Sequence, residues 1–195
     1  MRTRSVFPIL AASMGILLCV GAVPFILAHR ARVHAARYLS VVTTLRIGTP
    51  YDSVVAQLRH ARIPLAIPKD CQYNCILLFD FDDKWLYKLR LAAPLGLGGR
   101  LDFRDQQLVY KSTSMGHGLC CYVTVSESPS TKSTISLGNL DSYGHPTKPQ
   151  VEVSPLDFSE YRNNAYSFNV ACIGSMKACA VDEYLPVLER SRGQN

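Results

Sequence analysis

The sequence lacks any charged residue between Val6 and Ala28, and it has no acidic residue in its first 50 positions, where six arginines lie. The remaining residues, 51–195, carry 15 basic and 15 acidic side chains, so the net charge of +6 comes entirely from the N-terminal part. A nucleic-acid-binding protein needs basic residues clustered on its folded domain. This distribution therefore predicts a downstream domain with a balanced surface and no nucleic-acid partner.

The chain also lacks the short motifs of common catalytic sites, including a phosphate-binding loop, G-x-S-x-G and H-E-x-x-H. A Cys/His nucleophile pair is conceivable only at His117, which lies between two glycines and close to Cys120. Nothing nearby supplies an orienting third group, so a turn is the simpler interpretation, and His145 is likewise interpreted as a loop residue. We therefore predict no catalytic residue and no cofactor.

The uncharged run from Val6 to Ala28 predicts a transmembrane helix. Its 23 residues would form a helix about 34 Å long at about 1.5 Å per residue, which exceeds the hydrocarbon core of about 30 Å. Twelve of these residues are Leu, Ile, Val or Phe, which favours insertion by about 4 to 7 kcal/mol. Pro8 and Pro24 lie near the ends of the run, where a membrane helix tolerates them.

A cleaved secretory signal is the alternative interpretation, because two arginines precede the apolar run. Its cleavage would need an A-x-A-like pattern, whereas residues 26–28 begin with a branched isoleucine and the run is longer than a usual signal core. The leucine before Cys19 is too bulky for a lipidation motif. We therefore predict an uncleaved signal anchor, with residues 1–5 in the cytoplasm and residues 6–28 in the membrane.

Cysteine usage decides the predicted orientation, because arginines flank both ends of the anchor and leave the positive-inside rule ambiguous. Six cysteines follow the anchor: Cys71, Cys75, Cys120, Cys121, Cys172 and Cys179. An even set in a domain of this size predicts disulfide bonds and an oxidising compartment. We therefore expect a single-pass protein of the cell membrane whose C-terminal domain is extracytoplasmic.

The pairing of these cysteines is only partly predictable. Six cysteines allow 15 pairings, and twelve remain when a strained bond between adjacent Cys120 and Cys121 is excluded. Cys172 and Cys179 are close enough in sequence to staple a local loop, which would leave the first two cysteines to reach the adjacent pair across the sheet.

Two other chemistries stay open for the first two cysteines. Cys71 and Cys75 are separated by three residues, one more than a redox C-x-x-C motif has, and they do not open a helix. Their spacing would suit zinc, but two adjacent cysteines make poor tetrahedral partners for such a site. We predict no metal.

Two helices are expected after the anchor. Apolar and small residues recur at spacings of three or four over residues 29–48, which predicts a juxtamembrane helix that ends at Gly48. A Thr-Pro-Tyr-Asp sequence then gives a typical helix start. Because two prolines follow soon after, the second helix is expected over residues 50–61.

From Cys75 the apolar pattern changes to a period of two, which predicts strands. A strand ending at residues 82–83 and a second strand over residues 85–91 are expected to form a hairpin with an acidic turn. Three glycines at residues 96–99 predict a loop, and a second hairpin should turn at residues 105–106. Further strands are expected at residues 120–126, 151–153 and 166–173.

The acidic turn of the first hairpin raises the possibility of calcium. Asp80, Asp82 and Asp83 offer carboxylate oxygens, but the twelve-residue loop of a calcium hand is absent, so a solvated turn is the preferred interpretation.

The last third of the chain predicts an exposed excursion followed by a short helix. Residues 126–149 are rich in Ser, Thr, Gly and Pro and should form a long loop with at most short structure. A short helix is expected over residues 181–189. Residues 49–195 are thus predicted to form one α+β domain, in which the helices precede a mainly antiparallel meander sheet.

Residues 45–58, LRIGTPYDSVVAQL, resemble the start of the SmpA/OmlA-type (BamE-like) small lipoproteins of outer-membrane assembly. In that family an apolar-x-apolar-Gly turn followed by Thr or Met leads into a short helix with Val and Leu, and two helices pack on a three-stranded meander. The resemblance implies an α+β fold with this order of elements, and it carries over no binding residue.

These observations predict a non-enzymatic, membrane-tethered domain with a structural or protein-interaction role, whose partners are the membrane and a protein. An extracytoplasmic thiol oxidoreductase or another cysteine-dependent enzyme is the alternative. A reactive free thiol near His117 would favour the enzyme, whereas three intact disulfides would favour the scaffold.

Overall fold

The computed structural model describes residues 6–66, 71, 74–117, 121–129, 134–140, 146–153, 165–177 and 179–186. Residues 6–20, 117, 121–122, 134–140, 146–153 and 181–182 are described by their backbone alone. Two helices precede a six-stranded antiparallel sheet, so the predicted α+β class is confirmed.

Helix α1, Val6–Thr44, is continuous from the uncharged run into the predicted juxtamembrane helix. From Ala35 onward its buried residues recur every three or four positions and join the core, namely Ala35, Tyr38, Val42 and, just beyond the helix, Leu45. Ala28, two turns earlier, is buried beside Gly174. Among the described residues, no helix is long and apolar enough to cross a membrane. The side chains of residues 6–20, most of the predicted anchor, lie outside the described residues, so the anchor stays a prediction.

Helix α2, Tyr51–His60, confirms the second predicted helix and buries Val54, Val55 and Leu58. The turn that leads into it is fastened to the sheet, because Gly48 N–H donates to Leu108 O at 2.8 Å and Tyr51 N–H donates to Gln106 O at 2.8 Å. Gly48 has φ +89°, a left-handed backbone conformation that favours glycine. The sharp turn between α1 and α2 depends on that freedom.

The sheet is a simple meander in which each strand pairs antiparallel with the next. The strands are β1 Asn74–Asp82, β2 Leu95–Arg104, β3 Gln107–His117, β4 Cys121–Glu127, β5 Thr134–Leu140 and β6 Pro146–Val153. Asp105 and Gln106 both have positive φ, at 50° and 63°, and they form the predicted two-residue turn between β2 and β3.

The predicted strand over residues 85–91 is wrong, because helix α3, Lys84–Lys88, occupies this segment. Asp83 is its N-cap: the carboxylate Oδ1 accepts hydrogen bonds from Trp85 N–H at 3.0 Å and Leu86 N–H at 3.2 Å. A cap of this kind satisfies donors that would otherwise be left open at a helix start. Only Leu86 of the helix is buried, so the alternating residues do not form a buried face as they would in a strand. The N-cap of Asp83 therefore decides the structure of this segment.

The predicted glycine loop is also wrong, because Gly96, Gly98 and Gly99 lie inside β2. Gly99 faces the core, where a methyl group would lie 2.7 Å from Tyr38 Cε1 and closer still to the hydroxyl end of that ring. Glycine is therefore placed in this strand to let the helix approach the sheet.

The C-terminal half differs from prediction in three places. Strands β5 and β6 lie partly within residues 126–149, so that segment is not one loop. The expected strand over residues 166–173 is irregular and contains a short 3-10 turn, Val170–Cys172. The final helix, α4, Val181–Tyr184, begins where expected but ends at Tyr184 and does not continue to the predicted residue 189, and residues 187–189 lie outside the described residues.

Among the side chains that the structure describes, the inner face of the sheet carries one buried cation, Lys111 on β3. Its ammonium donates to the carbonyls of Val42 at 2.9 Å and Leu45 at 2.8 Å, and it lies 3.2 Å from Glu127 Oε1 on β4 and 4.6 Å from the ring centre of Tyr166. The last carbonyls of a helix need donors from elsewhere. Lys111 supplies them and thereby joins the end of α1 to the sheet.

Candidate functional site

Strand β1 lies at an edge of the sheet, and among the described residues it pairs with β2 alone. Four of its residues face the core: Cys75, Leu77, Phe79 and Phe81. On the other face the side chains of Ile76 and Leu78 are 46% and 68% exposed. An edge strand presents unpaired backbone N–H and C=O groups, and natural proteins usually protect such edges with charge or a short strand. A nine-residue edge strand with exposed Ile and Leu is therefore a candidate binding surface.

A fixed ion pair lies beside these two side chains on the outer face of β2. Arg100 and Asp102 are the register partners of Leu78 and Ile76. The guanidinium donates to both carboxylate oxygens of Asp102, at 2.7 and 2.8 Å, and this hydrogen bonding raises the pKa of Arg100. The ring of Tyr110 on β3 lies 5.9 Å from the guanidinium carbon. The apolar edge is thus followed by a planar, preorganised polar strip.

Toward the C-terminal end of β1 the outer face of the sheet carries small side chains on β2 and β3. Asp80 has Gly98 as its register partner, and Gly98 has Ser114 as its partner on β3. Gly96 and Gly116 form the next pair along the strands. Small residues leave the backbone of β2 and β3 accessible beside the edge.

The three aspartates of the predicted acidic turn have separate structural roles. Lys84 Nζ lies 3.7 Å from Asp80 and 3.5 Å from Asp82, while Asp83 caps α3. Partial burial, with a smaller contribution from Asp80, raises the pKa of Asp82, and the carboxylate of Asp82 raises that of Lys84. Among the described residues, no group of three or more His, Cys, Asp or Glu side chains is placed to hold a metal ion.

The structure contains two disulfide bonds among the described residues. Cys172 pairs with Cys179, as predicted, with their Cα atoms 5.8 Å apart. Cys71 pairs with Cys75, with Cα atoms 4.8 Å apart, so the predicted bonds from these two cysteines across the sheet are wrong. The bond closes a short loop at the start of β1.

Register explains why Cys75 does not pair with Cys121. Cys75 lies beside Phe103, at the end of the sheet where β3 begins, whereas Cys121 lies beside His117, where β3 ends. At about 3.3 Å per residue these ends are separated by about 25 Å or more, and disulfide Cα atoms are at most about 7 Å apart.

The Cys/His hypothesis is only partly addressed by the described residues. His117 and Cys121 are register partners at the junction of β3 and β4. Their side chains lie outside the described residues, as do Cys120 and His145 in full.

Comparison of the chain with models of protein families, with curated proteins and with solved structures found no match. The resemblance of residues 45–58 to the outer-membrane assembly lipoproteins therefore stays a prediction. In the structure this segment forms the turn that follows α1 and most of α2.

The β1 edge was not predicted as a candidate site, although the sequence contains a pattern that indicates it. Residues 76–79, Ile-Leu-Leu-Phe, are apolar without interruption. A strand with an apolar core face and a solvated outer face would alternate. An unbroken run in an antiparallel strand indicates that the outer face is apolar too, which is the feature that the edge site requires.

Proposed function

We propose that this protein is a membrane-anchored, extracytoplasmic interaction domain that binds an extended segment of a partner protein along the free edge of β1. The observation that carries the proposal is the nine-residue edge strand with exposed Ile76 and Leu78. An extended peptide that adds a strand obtains affinity from main-chain hydrogen bonds and specificity from alternate side chains.

The chemistry of the edge specifies the segment that would fit. Every second residue of β1 directs its backbone N–H and C=O groups away from β2, toward the open side of the edge. The exposed side chains along the strand are apolar, apolar and acidic: Ile76, Leu78 and Asp80. Cross-strand neighbours interact most favourably as apolar or aromatic pairs and as pairs of opposite charge. The partner segment should therefore carry two apolar residues at alternate positions and a lysine or arginine at the next alternate position, opposite Asp80.

The location in the proposal is supported by two features. The uncharged run from Val6 to Ala28 has the length and composition of an anchor. The Cys71–Cys75 and Cys172–Cys179 bonds are typical of an oxidising compartment. The first of these bonds closes the loop just before the edge strand, so oxidation would restrain the start of the binding edge.

The test is photocrosslinking from the edge in intact membranes. A photoreactive phenylalanine analogue is placed at position 78, and in a matched control at position 56, where Ala56 is exposed on α2. We expect a protein adduct from position 78 that is absent from position 56. The crosslinked peptide of the partner should contain the alternating apolar pattern.

A charge at the edge should remove the same adduct. With the photoreactive group at position 76, Leu78→Lys should abolish crosslinking, whereas Ala56→Lys should leave it unchanged. A failure to crosslink from position 78, or a product unaffected by Leu78→Lys, contradicts the proposal. An adduct with a second copy of the chain would instead identify the edge as a homodimer contact.

A further inference from the structure

A second exposed apolar surface surrounds α3, the short helix that follows β1 directly in the chain. Its members, here called the α3 collar, are Trp85, Tyr87, Leu89 and Leu91, which are 56%, 51%, 53% and 44% exposed. Exposed apolar side chains scattered singly are ordinary, but four within seven consecutive residues, two of them aromatic, form a concentrated group that indicates a contact surface. We therefore expect a binding partner to cover this surface.

The collar lies at the level where α1 leaves the domain. Leu86, at the centre of the collar sequence, is buried, and helix α3 contacts α1. A methyl group at Gly174 would lie 2.9 Å from Ala28 Cβ and 3.4 Å from Leu86 Cδ1, so these three residues converge. Met176, 71% exposed, follows on the same loop.

This loop is fastened to α1 by a second contact. The Arg32 guanidinium donates to the carbonyls of Ile173 at 2.6 Å and Gly174 at 3.1 Å. The loop is also closed by the Cys172–Cys179 bond. Collar and loop are thus held against one turn of α1, around Ala28.

The uncharged run of α1 ends at that same turn. Pro24 and Ala28, both inside the run, are buried, while Val23, Phe25 and Ile26 are exposed. A helix of 23 residues is longer than the hydrocarbon core by only about 4 Å, so in a membrane its last turn lies in the headgroup region. Any side chain held beside Ala28 would then lie at the same depth.

The charges around the collar suit a lipid surface. Lys88, Arg90 and Lys177 are exposed, and Lys88 Nζ lies 5.5 Å from the centre of the Trp85 ring. Trp and Tyr are enriched at the membrane interface, and basic side chains there attract anionic headgroups. An apolar surface mixed with aromatic and basic residues matches this zone better than it matches a protein core.

We infer that the α3 collar inserts into the headgroup region of the bilayer beside α1 and fixes the domain on the membrane surface. This inference rests on the proposed membrane anchor and extends that proposal, because contact of the collar with lipid would give the domain a defined orientation relative to the bilayer. The collar then acts as a second, peripheral attachment, and the β1 edge is held at a constant height and direction.

Trp85 is the single tryptophan of the chain, so its fluorescence reports on the collar alone. The full-length protein is reconstituted into vesicles of phosphatidylcholine and phosphatidylglycerol. We expect blue-shifted Trp85 emission, weak quenching by acrylamide in the water, and strong quenching by lipids brominated near the headgroup. The control is Ser53→Trp in the Trp85→Phe background, because Ser53 is exposed on α2, beyond the far end of α1.

The control tryptophan should be quenched by acrylamide and untouched by brominated lipid. If the protein does not float with vesicles, or is released by alkaline carbonate, the anchor itself fails. If it floats while Trp85 is quenched by acrylamide as strongly as the control, the collar inference alone is overturned. Protection from acrylamide without quenching by brominated lipid would also overturn it, since a protein contact would then cover the collar.

Discussion

Tyr38 and Gly99 together decide how closely α1 approaches the sheet. The Tyr38 ring is fully buried, with ring centres 4.8 Å from Phe79 and 5.3 Å from Phe81. Its hydroxyl end lies where a side chain at position 99 would be. A close-packed interior leaves little room for an added methyl group. One glycine in β2 therefore determines the packing of a whole helix.

Replacing Gly99 by alanine tests this contact. Gly99→Ala should lower the free energy of unfolding by about 1 to 3 kcal/mol, because the methyl group overlaps the Tyr38 ring and overpacks the core. Gly98→Ala is the matched control: its methyl group would face outward, 3.3 Å from the Ser114 hydroxyl, which can rotate away. Urea unfolding in detergent should show a change within about 0.5 kcal/mol for the control. Equal losses in both variants would refute this role of Gly99.

Tyr38 also predicts a dependence of stability on alkaline pH. Burial raises its pKa far above the ordinary value of 10.0, although Thr113 nearby has a smaller opposing effect. The unfolded chain then loses this proton above about pH 10 while the folded chain keeps it, so stability falls as the pH rises, by up to about 1.4 kcal/mol per pH unit. Below that range Tyr38 contributes no pH dependence.

The measurement is the free energy of unfolding of wild type and Tyr38→Phe between about pH 8 and pH 11, a range that spans the tyrosine pKa. The variant should lose stability less steeply above pH 10, since every other titrating group is common to both chains. At pH 8 it should be no less stable, because the buried Tyr38 hydroxyl has no hydrogen bond of standard geometry among the described residues. Parallel pH profiles would contradict the prediction.

At the scale of the elements, α3 depends on a single capping carboxylate. Asp83→Ala removes the acceptor for the Trp85 and Leu86 amides. Loss of an N-cap costs about 0.5 to 2 kcal/mol, and here the loss should be concentrated in a helix of five residues. We expect hydrogen exchange to accelerate at residues 85–91 and to stay unchanged in β2 and β3. Asp83→Asn, which keeps an acceptor, should retain most of the protection.

The elements also show what the sequence could and could not predict. Helix α2 was predictable because its apolar spacing is local, although its N-cap is Pro50, without a side-chain cap hydrogen bond, and not the threonine of the predicted start sequence. The β2–β3 turn was predictable because Asp105-Gln106 stands between two alternating runs. Helix α3 was not, because alternating Trp85, Tyr87 and Leu89 imitate a strand while the deciding interaction is one hydrogen-bonding cap. Alternation predicts a strand only when one of its faces is buried.

The predictions for the glycines and cysteines were wrong for a different reason, because the roles of these residues are set by partners that are distant in sequence. Gly99 is explained by Tyr38, which lies on a helix 61 positions earlier, and nothing near it in sequence reveals that contact. The partner of Cys71 depends on which end of the sheet each cysteine occupies. The free edge of β1 likewise follows from the strand order, although the apolar run at residues 76–79 hinted at it.

At the scale of the whole molecule, Lys111 joins three parts of the chain: the end of α1, strand β3 and strand β4. Its ammonium contacts the carbonyls of Val42, in the last turn of α1, and of Leu45, just beyond it, together with the Glu127 carboxylate inside the core. A buried ion pair adds little over a well-packed apolar pair, but removing one partner leaves a buried charge that costs about 3 to 5 kcal/mol. Lys111→Met should therefore destabilise the domain by that amount.

A double-mutant cycle with Glu127→Leu separates the ion pair from the helix contacts. The double variant should lose less than the sum of the two single variants, because no charge remains buried at this position. It should still be less stable than wild type, since the Val42 and Leu45 carbonyls lose the lysine donor. Urea unfolding of the four proteins gives the coupling. Simple additivity would mean that Lys111 acts through the carbonyls alone, and the attachment of α1 to the sheet would then not depend on Glu127.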